Sequence, residues 1–257
     1  SASTVLNKLI NQINNLKVDV RLSTKINDYF IEDKHISING ELFDKVIFAT
    51  GGKSSPNLGS DGSIFNVLYK HGYHLANMSP SLCPIRINEN VKRLDGVRAK
   101  VSLSILQDKK LVHSEQGELL FKKDGLSGIV IFNSTHYINR LLNKNNVEIA
   151  IDFAPQIKEK INEKDYDNYL NPKLADYLLF HHLDIKNTVF TFKEMYDFNF
   201  SQVTSGGLCI SNVNNDLSSK IENNVYFIGE ILDVDATCGG YNLMWAFASA
   251  NKVANSI

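Results

Sequence analysis

The sequence predicts an α/β protein in which the first and last parts of the chain form one domain and a β-rich unit, itself carrying a helical insert, is plugged between them. Three observations predict it. A buried strand ending in "VIFATGG" is followed by a turn-rich stretch and a helix. A second strand, "VYFIGE", leads to a glycine pair and another helix. Between the two, residues 79–149 alternate apolar and polar positions with period two.

The elements come in order. Val5, Leu6, Leu9, Ile10, Ile13 and Leu16 recur at helical spacing, so the chain opens on an amphipathic helix. The stretch "VDVRLSTKINDYFIEDKHISINGELFDKVIFATGG" predicts a strand, a β-meander turning at Asn39-Gly40, and a buried strand over 45–49. "IFNVLYKHGYHL" returns to helical periodicity. In the middle, "RAKVSLSILQDKKLVHSEQGELLFK" and "GIVIFNST" predict an antiparallel unit, with "HYINRLLNKN" a short helix in or beside it. The charged run 155–184, interrupted before Pro172, predicts the helical insert. "TVFTFKEMYDFNFSQVTSGGLCIS" then leads back to a closing strand over 225–228 and the last helix. This layout assigns 1–77 and 201–257 to the α/β domain, 78–153 and 185–200 to the β-rich domain, and 154–184 to the insert.

Bulk properties narrow the function classes. A chain of 257 residues holds two or three structural units. With 27 basic and 28 acidic residues its charge is -1, which gives no electrostatic argument for nucleic acid, a membrane surface or a polyanion as partner. Cys83, Cys209 and Cys238 lie far apart with no C-x-x-C pair, so neither a zinc ribbon nor a disulfide framework is suggested. A reducing cytoplasm and a small-molecule substrate fit best, and the oligomeric state stays open.

In open α/β sheets, ligands sit beyond the carboxyl ends of the strands. The first such end, Ala49-Thr50-Gly51-Gly52, has small residues that let a ligand or another backbone approach closely. At the second, Glu230 after Gly229 is placed to accept hydrogen bonds from sugar or ribityl hydroxyls. Gly239 and Gly240 leave the amides at the start of the last helix unobstructed, and the positive end of that helix suits the electron-rich pyrimidine edge of a flavin. Each glycine taken singly reads more readily as a turn residue than as a ligand contact; the joint, ordered appearance of both strand ends carries the argument.

Together, "VIFATGGKSSPNLGSDGS", "PSLCPI", "ELLFKKDGLSG", "SQVTSGG" and "VYFIGEILDVDATCGGYNLMWAFASA" resemble the BaiN-like family of bacterial FAD-binding oxidoreductases, also called the aminoacetone-oxidase type, over most of the chain. The resemblance implies a glutathione-reductase-like FAD-binding domain interrupted by a β-rich domain with a helical insert. It implies that Ala49, Thr50, Gly51, Gly52, Gly229 and Glu230 lie against FAD, with Lys53 on the flavin side. Asp233, Gly239, Gly240, Tyr241 and Asn242 would approach its ribityl-isoalloxazine part, and NAD(P)H is the implied class of electron donor.

One departure matters. Family members carry a G-x-G-x-x-G βαβ unit that holds the ADP half of FAD, and none of the fifteen glycines here forms that pattern. The start of this chain resembles the region immediately after that unit, so the chain is expected to be the later part of a longer protein, with the first βαβ absent and FAD held weakly or not at all. The expected function is an FAD-dependent oxidoreductase; the alternative is a non-catalytic binding module that keeps the fold.

Other residues are read plainly. Cys238 stands where the family has threonine and is expected to serve as a small hydrophobe. His181-His182 point in different directions on a helix, so no metal site is nominated. Trp245 is expected in the core. No catalytic acid or base is nominated.

Overall fold

A computed structural model describes residues 2–257. The chain opens on helix α1 (Ala2–Asn15) and enters a three-stranded meander, β1 (Phe30–Glu32), β2 (His35–Ile38) and β3 (Glu41–Phe43). Asn39 and Gly40 turn the hairpin with φ of 52° and 83°, the paired positive values that a two-residue type I′ turn needs. Strand β4 (Val46–Phe48) and helix α2 (Ile64–Lys70) come next.

Strand β5 (Leu75–Ser81) leads into the middle of the chain, where β6 (Ile85–Ile87), β7 (Arg98–Gln107), β8 (Lys110–Lys122), β9 (Gly125–Ser127), helix α3 (Ile129–Ile138), β10 (Val147–Asp152), helix α4 (Pro172–Phe180) and β11 (Thr188–Met195) build a closed barrel. The chain returns on β12 (Val203–Leu208), then β13 (Val225–Phe227), and ends on helix α5 (Tyr241–Ala254).

The barrel runs β10-β11-β6-β9-β8-β7 and closes β7 on β10, every pair antiparallel. Its period-two sequence has a direct physical reading. Val101, Leu103 and Ile105 on β7, Leu119 and Phe121 on β8, and Ile149 and Ile151 on β10 point inward and are buried, while their neighbours face out. Closure leaves no free edge to template aggregation.

A second core lies between the outer parts of the chain. Strands β4 and β13 pair in parallel, Val46 opposite Val225 and Phe48 opposite Phe227, and the two phenylalanine rings stack at 5.4 Å. Tyr29, Phe65, Leu68 and Tyr73 complete this core. The ladder sets the carboxyl ends of both strands side by side: the Ile228 amide donates to the Phe48 carbonyl at 3.0 Å. Strands β5 and β12 pair antiparallel as the stalk through which the chain leaves for the barrel and comes back.

Two expectations need correction. "GIVIFNST" is not a strand but the start of α3, and the short helix expected over 136–145 contributes only that helix's last residues. Its β-branched run has strand propensity, yet Gly128 at φ 97° turns the chain, and the helix is covered against β8 with Val130, Ile131 and Ile138 buried. The segment 155–184 holds one 3-10 stretch, Glu163–Asn168, and α4, and Ile161, Tyr166, Leu174 and Leu178 join the barrel's own core.

Helix α1 is amphipathic as expected but buries none of its residues. No helix among the described residues is long and apolar enough to cross a membrane.

Candidate functional site

The β4 end is built around one hydroxyl. Thr204 Oγ1, at the start of β12, accepts from the amides of Lys53 (2.7 Å) and Ser54 (3.1 Å), and the Thr204 amide donates to Glu230 Oε1 at 2.6 Å. Gly52 sits in the angle between these groups: a Cβ there would collide with the Thr204 side chain and lie 2.8 Å from Glu230 Oε1. Glycine is required because another part of the chain comes this close. The two strand ends, the loop of residues 49–54 and Glu230 therefore meet through Thr204, a residue sequence reasoning did not nominate although it stands in the quoted "SQVTSGG".

Burial pushes the Glu230 carboxyl above its ordinary range, the nearby Asp235 adding to the rise, while the hydrogen bonds from Thr204 pull it down. Its carboxylate lines a cavity of about 310 Å³, together with Gln202, Val203, Cys238, Gly239, Gly240 and Asn242. The cavity opens at the start of α5. Gly240 caps this helix at φ 88° without any side-chain hydrogen bond, so the first-turn amides keep their donor capacity and the positive end of the helix. A side chain on Gly240 would meet nothing within 4 Å, so the space in front of that end is open.

The residues expected to approach a cofactor divide. Glu230, Gly239, Gly240 and Asn242 line the cavity, whereas Ala49, Thr50, Gly51, Gly52, Lys53, Gly229, Asp233 and Tyr241 do not. Gly229 docks α5: its amide donates to Ser249 Oγ at 2.9 Å and its carbonyl accepts from Trp245 Nε1 at 3.1 Å. Asp233 accepts from the Gly206 amide at 3.1 Å. Asn242 grips the backbone of Ala236 with both ends of its amide, at 2.9 Å each, so its polar atoms are engaged in shaping the 233–240 loop. Lys53 Nζ lies 5.0 Å from the centre of the Phe198 ring, a cation–π contact. Trp245 is half-buried and contributes to the cavity wall as well as to packing.

The same loop is fastened to the barrel. Asp235 is buried, and its carboxylate receives His136 Nδ1 at 3.0 Å, Arg140 at 3.0 Å and Ser81 Oγ at 3.2 Å. Burial pushes this carboxyl up, but the hydrogen bond to His136 and the Arg140 guanidinium outweigh it and hold it below the usual range. One turn away on α3, Asn133 accepts the Cys238 amide at 2.8 Å and donates to Glu115 at 2.7 Å. Burial pushes the Cys238 thiol up, so it stands in the cavity wall as a neutral group. None of Asp235, His136 and Asn133 was nominated from sequence; the acid of "DVDAT" was the available signal.

These features fit the isoalloxazine half of a flavin. An uncapped helix start offers amides to an electron-rich edge, a carboxylate faces the space, and the volume lies within the range of small-molecule sites. No G-x-G-x-x-G loop is present for the pyrophosphate.

Residues 1–256 match the family model described as HI0933-like protein Rossmann domain. The chain is 28% identical to the 3-dehydro-bile acid delta(4,6)-reductase of Clostridium scindens, across 96% of this chain and 71% of the relative. It is 29% identical to a ribosomal RNA dihydrouridine synthase of Haemophilus influenzae, across 82% of this chain and 60% of that protein. With the ribosomal RNA dihydrouridine synthase of Escherichia coli it shares 23% identity across its full length and 72% of the relative.

Proposed function

The chain belongs to the HI0933-like family, in keeping with its motifs, and on that premise we propose that it serves an FAD-dependent oxidoreductase that saturates an activated carbon–carbon double bond. A delta(4,6)-reductase and a dihydrouridine synthase both name that chemistry, on a bile acid in one case and on a base of ribosomal RNA in the other. The observation that carries the reading is the uncapped start of α5 facing a cavity lined by Glu230.

The roles divide among the chain's own residues. The amides after Gly240 would hold the pyrimidine edge and stabilise the negative charge it gains on reduction. Glu230 would accept a hydrogen bond from a ribityl hydroxyl, and Asn242, through Ala236, would keep the 233–240 loop in shape. Val203 and Val234 would exclude water from one side. A flavin held there would supply hydride chemistry, with a nicotinamide as the proposed class of electron donor.

The partial glutathione-reductase-like layout also stands as a proposal, with 1–77 and 201–257 as the cofactor domain, 78–153 and 185–200 as the β-rich domain and 154–184 as its insert. It is supported by the two separate cores. We infer in addition that the chain works with a further α/β unit that supplies the ADP half of the site. All-parallel sheets are covered on both faces, yet β4–β13 is a two-stranded parallel ladder with Ile47 40% exposed. Leu243, Met244 and Phe247 of α5 and the apolar stripe of α1 are likewise bare.

Trp245, the single tryptophan, lines the cavity and reports its filling. Titrating FAD, FMN and riboflavin while following its fluorescence is expected to give saturable quenching by all three, because the isoalloxazine end carries the binding; Glu230→Gln should weaken it. Absence of quenching by every flavin would overturn the assignment of this cavity.

A further inference from the structure

Hydride transfer to a double bond leaves one proton still to be delivered, to the second carbon, and a positioned acid is the usual source. Among the residues lining the cavity only Glu230 and Cys238 carry a titratable proton. Glu230 is already engaged by the Thr204 amide at 2.6 Å. Cys238 belongs to the other wall, the loop fastened to the barrel.

Behind that wall β8 and α3 assemble a polar cluster. Asn133 spans it: its Oδ1 accepts the Cys238 amide at 2.8 Å and its Nδ2 donates to Glu115 Oε1 at 2.7 Å. The second carboxylate oxygen of Glu115 meets His113 Nε2 at 3.3 Å, and the His113 ring is stacked on Tyr137 at 3.9 Å. His113 and Glu115 are two positions apart on β8, so they share the face of that strand that α3 covers. Their side chains are 15% and 24% exposed, so the cluster touches water at one end and the cavity wall at the other. The remaining charged groups of this wall, His136, Arg140 and Asp235, are closed on one another. Burial pushes the Cys238 thiol up and the charge of Glu115 adds to the rise, so thiol and carboxylate feel each other directly.

We propose that the His113–Glu115 pair supplies, through the Cys238 thiol, the proton that completes reduction of the double bond. This deepens the reductive reading above and rests on it. The step balances without a further reagent. Hydride brings two electrons to one carbon; at the other, the S–H bond breaks and a C–H bond forms. The thiolate left behind takes a proton from the pair, which refills from water. Asn133 is the positioning residue, holding Cys238 and Glu115 at the two ends of one carboxamide. Threonine, which the family resemblance puts at this position, also carries a proton on a γ atom, so a relay is a role both residues can fill and a redox thiol is not.

The test loads the whole chain with FMN, reduces it anaerobically and follows reoxidation by 2-cyclohexen-1-one across pH. Cys238→Ala is expected to slow reoxidation about a hundred-fold or more, the size of a general-acid contribution. Cys238→Thr should restore most of the rate and lose the alkaline fall that the thiol imposes as it ionises. A second readout needs no flavin: the rate of Cys238 alkylation by iodoacetamide against pH, read on its peptide by mass spectrometry. Its midpoint should move down in Glu115→Gln, because a negative charge beside the thiolate is gone while an acceptor for Asn133 remains.

Reoxidation as fast in Cys238→Ala as in wild type would overturn the relay, and so would a Cys238→Thr variant no faster than Cys238→Ala. An unchanged alkylation midpoint in Glu115→Gln would overturn the coupling to the barrel. Quenching of Trp245 by FMN is read on the same samples, since that ring lines the cavity. Intact quenching with any of those results sinks this proposal alone. No quenching sinks the flavin reading, and intact quenching with wild-type reoxidation no faster than that of free FMN sinks the reductive one; the relay falls with either.

Discussion

Asp235 on the 233–240 loop and His136 on α3 meet at 3.0 Å, Oδ2 to Nδ1, and this pair with Arg140 joins the cavity wall to the barrel. The Asp235 side chain is only 1% exposed and that of His136 14%, whereas Arg140 is 48% exposed, so removing Asp235 leaves a largely buried imidazole without its partner and a guanidinium that water still reaches. Asp235→Ala is expected to cost about 1–3 kcal/mol, the penalty for leaving buried hydrogen-bonding groups such as His136 unsatisfied. Asp235→Asn, which keeps the shape, should cost less. Urea denaturation of both variants checks this, and equal midpoints for wild type and Asp235→Ala would refute it.

His71 sits between two carboxylates, Nδ1 2.7 Å from Glu222 and Nε2 3.0 Å from Asp28. Burial lowers its pKa, but the hydrogen bonds to Glu222 and Asp28 together leave it raised above the ordinary 6.5. A raised folded-state value means stability that is complete below about pH 6.5 and lost as pH climbs through the folded value. Denaturation midpoints from pH 6 to 9 should therefore fall more steeply for wild type than for His71→Gln. Parallel curves would show that the imidazole contributes nothing.

Gly125 of β9 lies against β6 so closely that a Cβ would strike the Ile85 carbonyl oxygen and carbon, backbone atoms that cannot swing aside. Gly125→Ala is expected to cost about 3 kcal/mol by overpacking and to open the β6–β9 seam. Thermal unfolding of the variant within a degree of wild type would show that the seam relaxes freely.

The three thiols should separate by reactivity. Burial pushes Cys83 up to about 12, and its side chain is fully covered, whereas Cys209 and Cys238 are only partly covered. At pH 8 a small alkylating reagent is expected to reach Cys209 and Cys238 while sparing Cys83 until denaturant is added. Mass spectrometry of peptides after timed labelling reads this directly; early modification of Cys83 would contradict the packing.

Much of this architecture is legible in the sequence because two periodicities do different work. Alternation at Val101, Leu103 and Ile105 marks an inward face wherever one side of a sheet is covered, and the Asn39-Gly40 turn names its own geometry. What stays hidden is partnership. The run "GIVIFNST" is apolar enough for either structure, and only its burial against β8 makes it a helix. Barrel closure depends on β7 meeting β10, a pairing no local pattern announces. At the site, the glycines were visible, but Thr204 and Asp235 were not, because each acts on residues far away in the chain.

The parallel ladder of β4 and β13 joins residues about 180 positions apart, the longest strand pairing among the described residues. A loop of that size would make the ladder slow to form from an unstructured chain. The intervening barrel contains the local hairpins β7–β8 and β8–β9. Even its longest pairing, β6 with β11, closes a shorter loop than β4 with β13, so it can fold on its own timetable and its stalk β5–β12 then shortens the distance left to close. The topology predicts an order of events: barrel first, stalk next, cavity last. Pulse-labelled hydrogen exchange during refolding should show β7 and β8 amides protected before those of β4 and β13. A newly made chain would accordingly spend its first moments as a finished barrel with an unfinished site.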